Sequence, residues 1–294
     1  MLVSVIIVNY NTFQITCDCI RSVIACTHGV PYEIVLVDNA SPNDKPDDFL
    51  LQFHGIKLIK SPENGGFAKG NNLGIAAAKG DILLLLNSDT LLKEDSISMA
   101  AAQLEQKTDA GALTVRLTYP DGKLQHTARK FRSSRNELLD LVRPVLLLVP
   151  YKTRAQLMLN QYFRGDFDTC ADWVSGAFMM IRRELLEKLP DQKLDERFFM
   201  YGEDQLWCYQ FGQLGYKCFY YSNTTVIHIN NASTSPAKQL QLMKKFLALE
   251  LTIMEYRKGK TLYYYIFNLI LTTKEMMRYY IKMAVLKLFK HRIR

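Results

Sequence analysis

The chain lacks a hydrophobic run of membrane-spanning length. Apolar stretches such as Leu2–Val8 and Thr261–Thr273 fall well short of the roughly 20 residues that a spanning helix needs. No basic segment precedes the first of them and no small-residue cleavage site follows it, so no targeting peptide is expected. The six cysteines, Cys17, Cys19, Cys26, Cys170, Cys208 and Cys218, include no CxxC pair. Their spacing excludes the common zinc-ribbon and redox patterns and predicts reduced thiols in a cytosol, most of them buried. Internal repeats and low-complexity tracts are missing too. Nor is positive charge evenly spread. Residues 238–294 carry 13 Lys and Arg against three acids, while the other 237 residues carry 24 against 26. The net charge of +8 therefore belongs to the C-terminal tail, and a uniformly basic nucleic-acid binder is excluded.

What is present is the composition of a folded protein. Hydrophobic residues make up 48% and charged residues 22% of a 294-residue chain, enough for one large α/β domain with an appendage. The first 115 residues alternate between two periodicities. Val3–Val8, Tyr32–Val37, Lys57–Lys60 and Asp81–Leu86 read as strands; Thr12–Thr27, Gly70–Lys79 and Lys93–Gln106 read as helices. This order predicts a mostly parallel sheet with helices on both faces, and ligands beyond the carboxyl ends of its strands. Pro120-Asp121-Gly122 predicts a hairpin joining Val115–Tyr119 to Lys123–Thr127. Residues 129–170 read as a mobile or helical insertion. Trp173–Ile181 is expected as a strand, Glu184–Leu189 and Asp204–Leu214 as helices, and Lys217–Tyr221 and Thr225–Ile229 as closing strands. Two domains are expected, an α/β domain over 1–235 and a helical tail over 236–294.

Several polar clusters fall where such a sheet would bind a ligand. Asn87-Ser88-Asp89 follows the fourth strand. Asp89 suits a hard divalent cation bridging a diphosphate, with Asn87 or Ser88 against a ribose; the competing use is a cap on the next helix. Asp38 ends the second strand and could accept from a base N–H, or it is an ordinary turn residue. Asn64-Gly65-Gly66-Phe67-Ala68-Lys69-Gly70-Asn71-Asn72-Leu73-Gly74 could let backbone approach a phosphate or ribose. It is not a Walker loop or a dinucleotide fingerprint. Tyr201-Gly202-Glu203-Asp204 opens a helix with paired carboxylates, either a catalytic base or acids favoured at a helix start. Trp173-Val174-Ser175-Gly176 offers a stacking ring and room for a sugar, or a plain core tryptophan. His228 could be a metal or phosphate ligand, or a structural histidine.

In this order, these segments resemble glycosyltransferase family 2, the inverting GT-A fold enzymes, and within it the rhamnosyltransferase-like branch that builds bacterial surface polysaccharide. The resemblance is carried by Ser4–Asn11, Val37–Ser41, Asn64–Gly74, Asn87–Asp89, Ser175–Ala177, Asp195–Asp204 and His228. It implies that Val8, Tyr10, Asn11 and Asp38 hold the nucleotide, together with Asn64, Gly66, Asn72, Asn87 and Ser88. It implies Asp89 as the metal carboxylate, His228 as a further metal or diphosphate ligand, and Mg²⁺ or Mn²⁺ as cofactor. Asp204 is implied as catalytic base with Glu203 beside it, and Trp173, Ser175 and Gly176 as sugar or acceptor contacts. Two positions depart from the family pattern. Residue 87 is Asn where an Asp is usual, and Leu206 stands where a further acid is common.

The resulting expectation is one in-line displacement. A hexose, rhamnose among the candidates, passes from a nucleotide diphosphate sugar to a hydroxyl of a saccharide or lipid-linked saccharide. A sugar nucleotidyltransferase would need a Gly-rich basic loop after the first strand, where Asn9-Tyr10-Asn11-Thr12 stands. A non-catalytic binding protein on the same fold would be expected to lose Asp89 or Asp204. In the tail, Lys274, Arg278 and Lys282 recur every four residues on an aromatic-rich helix. This cationic stripe predicts peripheral attachment to the anionic inner face of the cell membrane; packing on the catalytic domain or a homodimer is the competing use.

Overall fold

Alternating strand and helix build one ten-stranded sheet covered on both faces, in a computed structural model that describes residues 1–229 and 236–290. In chain order the first elements are β1 (Val3–Asn9), α1 (Phe13–Cys26), β2 (Tyr32–Asp38), α2 (Asp48–Gln52), β3 (Lys57–Lys60), α3 (Gly66–Ala77) and β4 (Ile82–Asn87). There follow β5 (Thr90–Leu92), α4 (Ser96–Gln106), β6 (Ala110–Thr118), β7 (Leu124–Gln125), β8 (Ala128–Arg129), α5 (Ser134–Leu141), α6 (Tyr151–Leu157) and α7 (Leu159–Tyr162). The remainder is β9 (Thr169–Ala171), β10 (Trp173–Val174), β11 (Phe178–Arg182), α8 (Arg183–Leu186), α9 (Glu203–Gln213), β12 (Lys217–His228), α10 (Pro236–Lys258) and α11 (Leu262–Lys290). The chain forms two compact units, residues 1–131 with 151–230, and residues 132–150 with 231–294.

In the first unit the strand order is β3-β2-β1-β4-β11-β6-β12-β5, parallel from β3 to β4 and again between β6 and β12. Val3, Val5, Ile6, Ile7 and Leu83–Leu85 are completely buried, because helices cover both faces and every side chain meets one of them. Alternate residues serve opposite layers. Val5, Ile7 and Leu84 pack with Cys17, Ile20 and Ile97. Ile6, Val35 and Leu85 pack with Ala68, Ile75, Trp207 and Phe211. Helix α3 lies hard against β1. A Cβ on Gly74 would collide with Ile6, and one on Gly70 with Val8, so these glycines serve helix–sheet packing. All six cysteines are free, and burial pushes the Cys19 thiol up to about 12, leaving it an inert core residue.

Several expectations shift in detail. The hairpin forms, with Leu117 opposite Gln125 and Gly122 at φ 82°. The stretch Trp173–Ile181 is two strands, broken at Ser175-Gly176-Ala177. The closing strands are one, β12, with a register shift between Tyr221 and Thr225. Asn87-Ser88-Asp89 does not cap the next helix. A short strand, β5, intervenes, and Asp95 caps α4 by accepting from Ser98 N at 3.2 Å.

In the second unit, residues 132–150 group with the C-terminal helices. The first two cations of the α11 stripe, Lys274 and Arg278, are paired within the second unit, while Lys282 is exposed. Lys274 is 6% exposed and pairs with Glu137 and, at 2.8 Å, with Asp140. Arg278 reaches Asp140 at 2.6 Å, and Arg132 bridges Glu137 at 2.8 Å and Glu275 at 2.7 Å. The physical reason is compensation: α5 presents two acids, and burying a cation is tolerable only opposite such partners. Burial works to raise the Glu137 and Asp140 carboxyls, but the facing cations outweigh it and hold both below the ordinary range. This contribution to stability is full above their unfolded values and is lost as pH falls through the depressed ones. Lys274→Met should leave two buried acids short of a cation and destabilise the second unit by about 3–5 kcal/mol. Hydrogen exchange checks this. Protection should fall over 134–141 and 262–285 and stay unchanged over β1, β2 and β4.

Candidate active site

The parallel register aligns the carboxyl ends of three strands. Asn9 sits opposite Asp38, and Val8 opposite Asn87. Asn9 is completely buried and ties this edge together. Its Nδ2 donates to Asp38 Oδ1 at 2.9 Å, Ser41 Oγ at 3.1 Å and Asp44 Oδ2 at 3.0 Å. Its Oδ1 accepts from Thr12 Oγ1 at 2.9 Å and Thr16 Oγ1 at 3.0 Å. Asp38, 2% exposed, also accepts from Ser41 N at 3.1 Å. Around this knot the backbone is sharply bent. Asn11 has φ 54° and its N–H donates to Ser41 Oγ, while Tyr10 stands 44% exposed. Val8 is half-buried beside Gly70.

A second cluster gathers at the end of β4. Strand β12 runs antiparallel to β5 and sets His228 opposite Thr90, while Ile229 N donates to Asp89 O at 2.9 Å. His228 Nε2 thus lies 3.1 Å from Asp89 Oδ1 and 3.3 Å from Asn87 Nδ2. Gln125 fixes the imidazole. Its Nε2 donates to the His228 carbonyl at 2.6 Å, which turns its Oε1 toward His228 Nδ1 at 2.7 Å. A carbonyl only accepts, so Oε1 faces Nδ1 and Nδ1 carries the proton. In the neutral ring Nε2 then offers its lone pair toward the Asp89 carboxylate. Two Lewis bases side by side, one held by a hydrogen-bonded partner behind it, suit a divalent cation. Among the described residues no group of three or more His, Cys, Asp or Glu could hold a metal, so a cation held by Asp89 and His228 would need further oxygen ligands from outside the protein. Ser88 adds a hydroxyl here, 3.4 Å from Thr12 Oγ1.

The third cluster surrounds Asp204, at the start of α9. Gly202, φ 92°, and Tyr201, φ 72°, make the turn that presents it. Asp204 Oδ1 accepts from Gln205 N at 2.8 Å and Oδ2 from Gly176 N at 3.3 Å. Burial pushes its carboxyl up, against the pull of these N–H groups and of the Arg129 guanidinium. Glu203 beside it is buried. The break in the strand at Ser175-Gly176-Ala177 joins the clusters. Gly176 N holds Asp204, and Ala177 O accepts from Asn87 N at 3.0 Å. The Ser175 hydroxyl accepts from Ala177 N at 3.3 Å and so helps to shape this link. Asp204 and the Asn87-Ser88-Asp89 edge therefore share one end of the sheet.

Three expected contacts are arranged otherwise. The Asn72 amide is spent on Leu194 O and Glu196 Oε1, both at 2.8 Å, and on Leu194 N at 3.1 Å, so it braces a loop. Trp173 is 8% exposed and carries the Arg129 guanidinium 5.2 Å from its ring centre, which makes it a support for Arg129. Gly66, φ 81°, works through packing, since a Cβ there would strike Phe199 O. Phe67 N donates to that oxygen at 3.0 Å, and Asn64 Oδ1 accepts from Asn39 Nδ2 and Gly66 N. The Gly-rich segment is thereby tied to the loop that precedes Asp204. Sequence gives no role to Gln125, nor to Asn9 although it lies within the Ser4–Asn11 segment, and shows Arg129 only as part of the basic segment Arg129-Lys130-Phe131-Arg132. Asn9 had a usable signal, a polar residue closing an apolar strand three positions before Thr12. Gln125 had none, being 103 residues from His228.

Comparison with known proteins identifies the family and the fold. The Glycosyl transferase family 2 profile matches residues 4–189. A glycosyltransferase, GlyG, of Streptococcus pneumoniae is 30% identical over 109 residues, 36% of each chain. An N-acetylglucosaminyl-diphospho-decaprenol L-rhamnosyltransferase of Mycobacterium tuberculosis is 25% identical over 224 residues, 71% of each chain. Among solved structures, the mannosyltransferase PcManGT of Pyrobaculum calidifontis, in complex with GDP-Man and Mn²⁺, has a TM-score of 0.59 at 17% identity, over 93% of this chain and 68% of that one. Staphylococcus aureus TarS 1-349 with UDP-GlcNAc gives 0.52 at 19% identity, over 85% and 66%. The matched stretch is thus about a third of the pneumococcal relative's length and about two thirds of the TarS chain. The fold is that of GT-A glycosyltransferases, and the chain belongs to glycosyl transferase family 2.

Proposed function

We propose that the protein transfers a hexosyl group, rhamnosyl being one candidate, from a nucleotide diphosphate sugar to a hydroxyl of a lipid-linked saccharide, with inversion. The observation that carries this reading is the link between Asp204 and the Asp89 edge through Ser175-Gly176-Ala177. It leaves a base and an anion-stabilising site at the same strand ends. The lipid-linked acceptor is supported by the name of the mycobacterial relative, and a role in surface polysaccharide synthesis is part of the same proposal. Six free thiols suit a reducing compartment and support the cytoplasmic side for this reaction; a lipid-linked acceptor would put it at the inner face of the membrane.

In this reading Asp38 and Tyr10 position the nucleoside beside the Asn9 knot. Asp204 accepts the proton of the acceptor hydroxyl as that oxygen bonds to the anomeric carbon and the bond to the diphosphate breaks. Desolvation makes this half-buried carboxyl more basic than a solvated one, which suits this role. A divalent cation held by Asp89 and His228 would offset negative charge on the departing diphosphate. The nitrogen ligand favours Mn²⁺ over Mg²⁺.

Asp204→Asn should lower kcat by about 10²–10⁴-fold with donor affinity nearly unchanged. A carboxyl whose folded-state pKa lies above its unfolded value destabilises the fold once pH exceeds the unfolded value. The same variant should therefore melt higher at pH 7, and a lower Tm with full activity would remove Asp204 from the mechanism. Gln125→Leu should release the His228 ring and weaken Mn²⁺ binding by about 10–100-fold, read by electron paramagnetic resonance titration. Unchanged Mn²⁺ affinity would assign Gln125 to the hairpin alone.

A further inference from the structure

Helix α11 is built inside out. Leu262, Ile266, Leu269, Met277 and Tyr280 fall on one stripe of its surface, at helical spacing, and each is at least 45% exposed. The opposite stripe, turned into the second unit, holds Phe267, Leu271, Lys274 and Arg278, and its cations are spent on Asp140 and Glu137. A helix at a water-facing surface has the reverse order, apolar inward and charged outward. Its partner segment does the same. With Glu137 and Asp140 facing inward, Leu138, Leu141 and Val145 of residues 134–148 are each more than half exposed. An exposed apolar surface of this kind marks an interface.

Charge decides what covers it. No charged residue lies between Lys260 and Lys274, so the first turns of the stripe are uncharged. Both flanks are net basic in sequence: Arg257, Lys258 and Lys260 precede it, although Lys260 pairs with Glu255 at 3.3 Å and Arg257 donates to Arg132 O at 3.2 Å, and Lys282, Lys287, Lys290, Arg292 and Arg294 follow its midpoint, with Glu275 the only acid from residue 256 onward. A second copy docked on this face, parallel or antiparallel, would set basic end against basic end. An anionic lipid surface complements both flanks at once, each cation there contributing about 1 kcal/mol. Tyr265 and Tyr280, more than half exposed, suit the boundary between headgroups and acyl chains. Among the described residues no helix is long and apolar enough to cross a membrane, which leaves an in-plane contact.

We propose that the outward stripe of α11 inserts in the plane of an anionic lipid leaflet, with the basic flanks on its headgroups. This rests on the inner-face placement proposed above and names the surface that carries it. The test is partition of the full chain onto vesicles of phosphatidylglycerol and phosphatidylcholine, compared with phosphatidylcholine alone, for the native protein and for Leu269→Glu. Native protein should bind the anionic vesicles and bind the neutral ones far less, and Leu269→Glu should weaken anionic binding at least about tenfold. As an independent readout, Leu269→Trp should show a blue shift of emission on anionic vesicles only. If neither protein binds, the inner-face placement and this surface both fail. If both bind equally, or the emission of the Leu269→Trp variant does not shift, the placement stands and the stripe is excluded. If Leu269→Glu instead converts a dimer to a monomer in sedimentation, the face belongs to a second copy and the proposal is overturned.

Discussion

A parallel sheet covered on both faces leaves polar side chains one place to gather, its carboxyl edge, and the catalytic unit depends on that constraint. The strands β1, β2 and β4 carry apolar runs over residues 5–8, 34–37 and 82–86 and then end together on Asn9, Asp38 and Asn87. The antiparallel strand β11 is inserted beside β4, so its beginning, not its end, meets this edge. That is why Gly176 and Ala177 can hold Asp204 on one side and Asn87 on the other. The distant acid at residue 204 reaches the edge through strand direction, with no need of a long mobile loop.

The first four strands and their helices were legible because burial on both faces writes continuous apolar runs and because parallel connections repeat at a regular interval. Asp89 and Asp204 were legible as acids closing a strand and opening a helix. What could not be read was which side chains spend their hydrogen bonds on the protein itself. The amide of Asn72 is taken by Leu194 and Glu196, more than 120 residues away, and no local pattern announces that. Trp173 stands beside a small-residue turn as a sugar platform would, yet Arg129 from a neighbouring strand sits over its ring. The glycines at 66, 70 and 74 resemble a phosphate loop in sequence. In three dimensions two of them admit the β1 side chains and one admits a backbone carbonyl.

The tail teaches the same lesson with charge. Cations every four residues describe a stripe, but periodicity does not say which way the stripe faces. Glu137 and Asp140, which turn it inward, come from a segment whose proline-broken apolar composition suggested only an insertion. Once those acids are in place, the outward side of α11 is the apolar one, and the surface we propose for lipid is that side and not the cations.

We propose that Asp89, His228 and Asp204 serve one site for a diphospho-sugar at the carboxyl edge of the sheet. A crystal structure with Mn²⁺ and an unreactive nucleotide sugar, recorded at the manganese absorption edge, tests it most directly. Anomalous density touching both Asp89 and His228, with the Asp204 carboxylate directed at the anomeric carbon of the bound sugar, is the expected result. Manganese bound away from Asp89, or a sugar lying on the far side of the Ser175-Gly176-Ala177 link from Asp204, would contradict it.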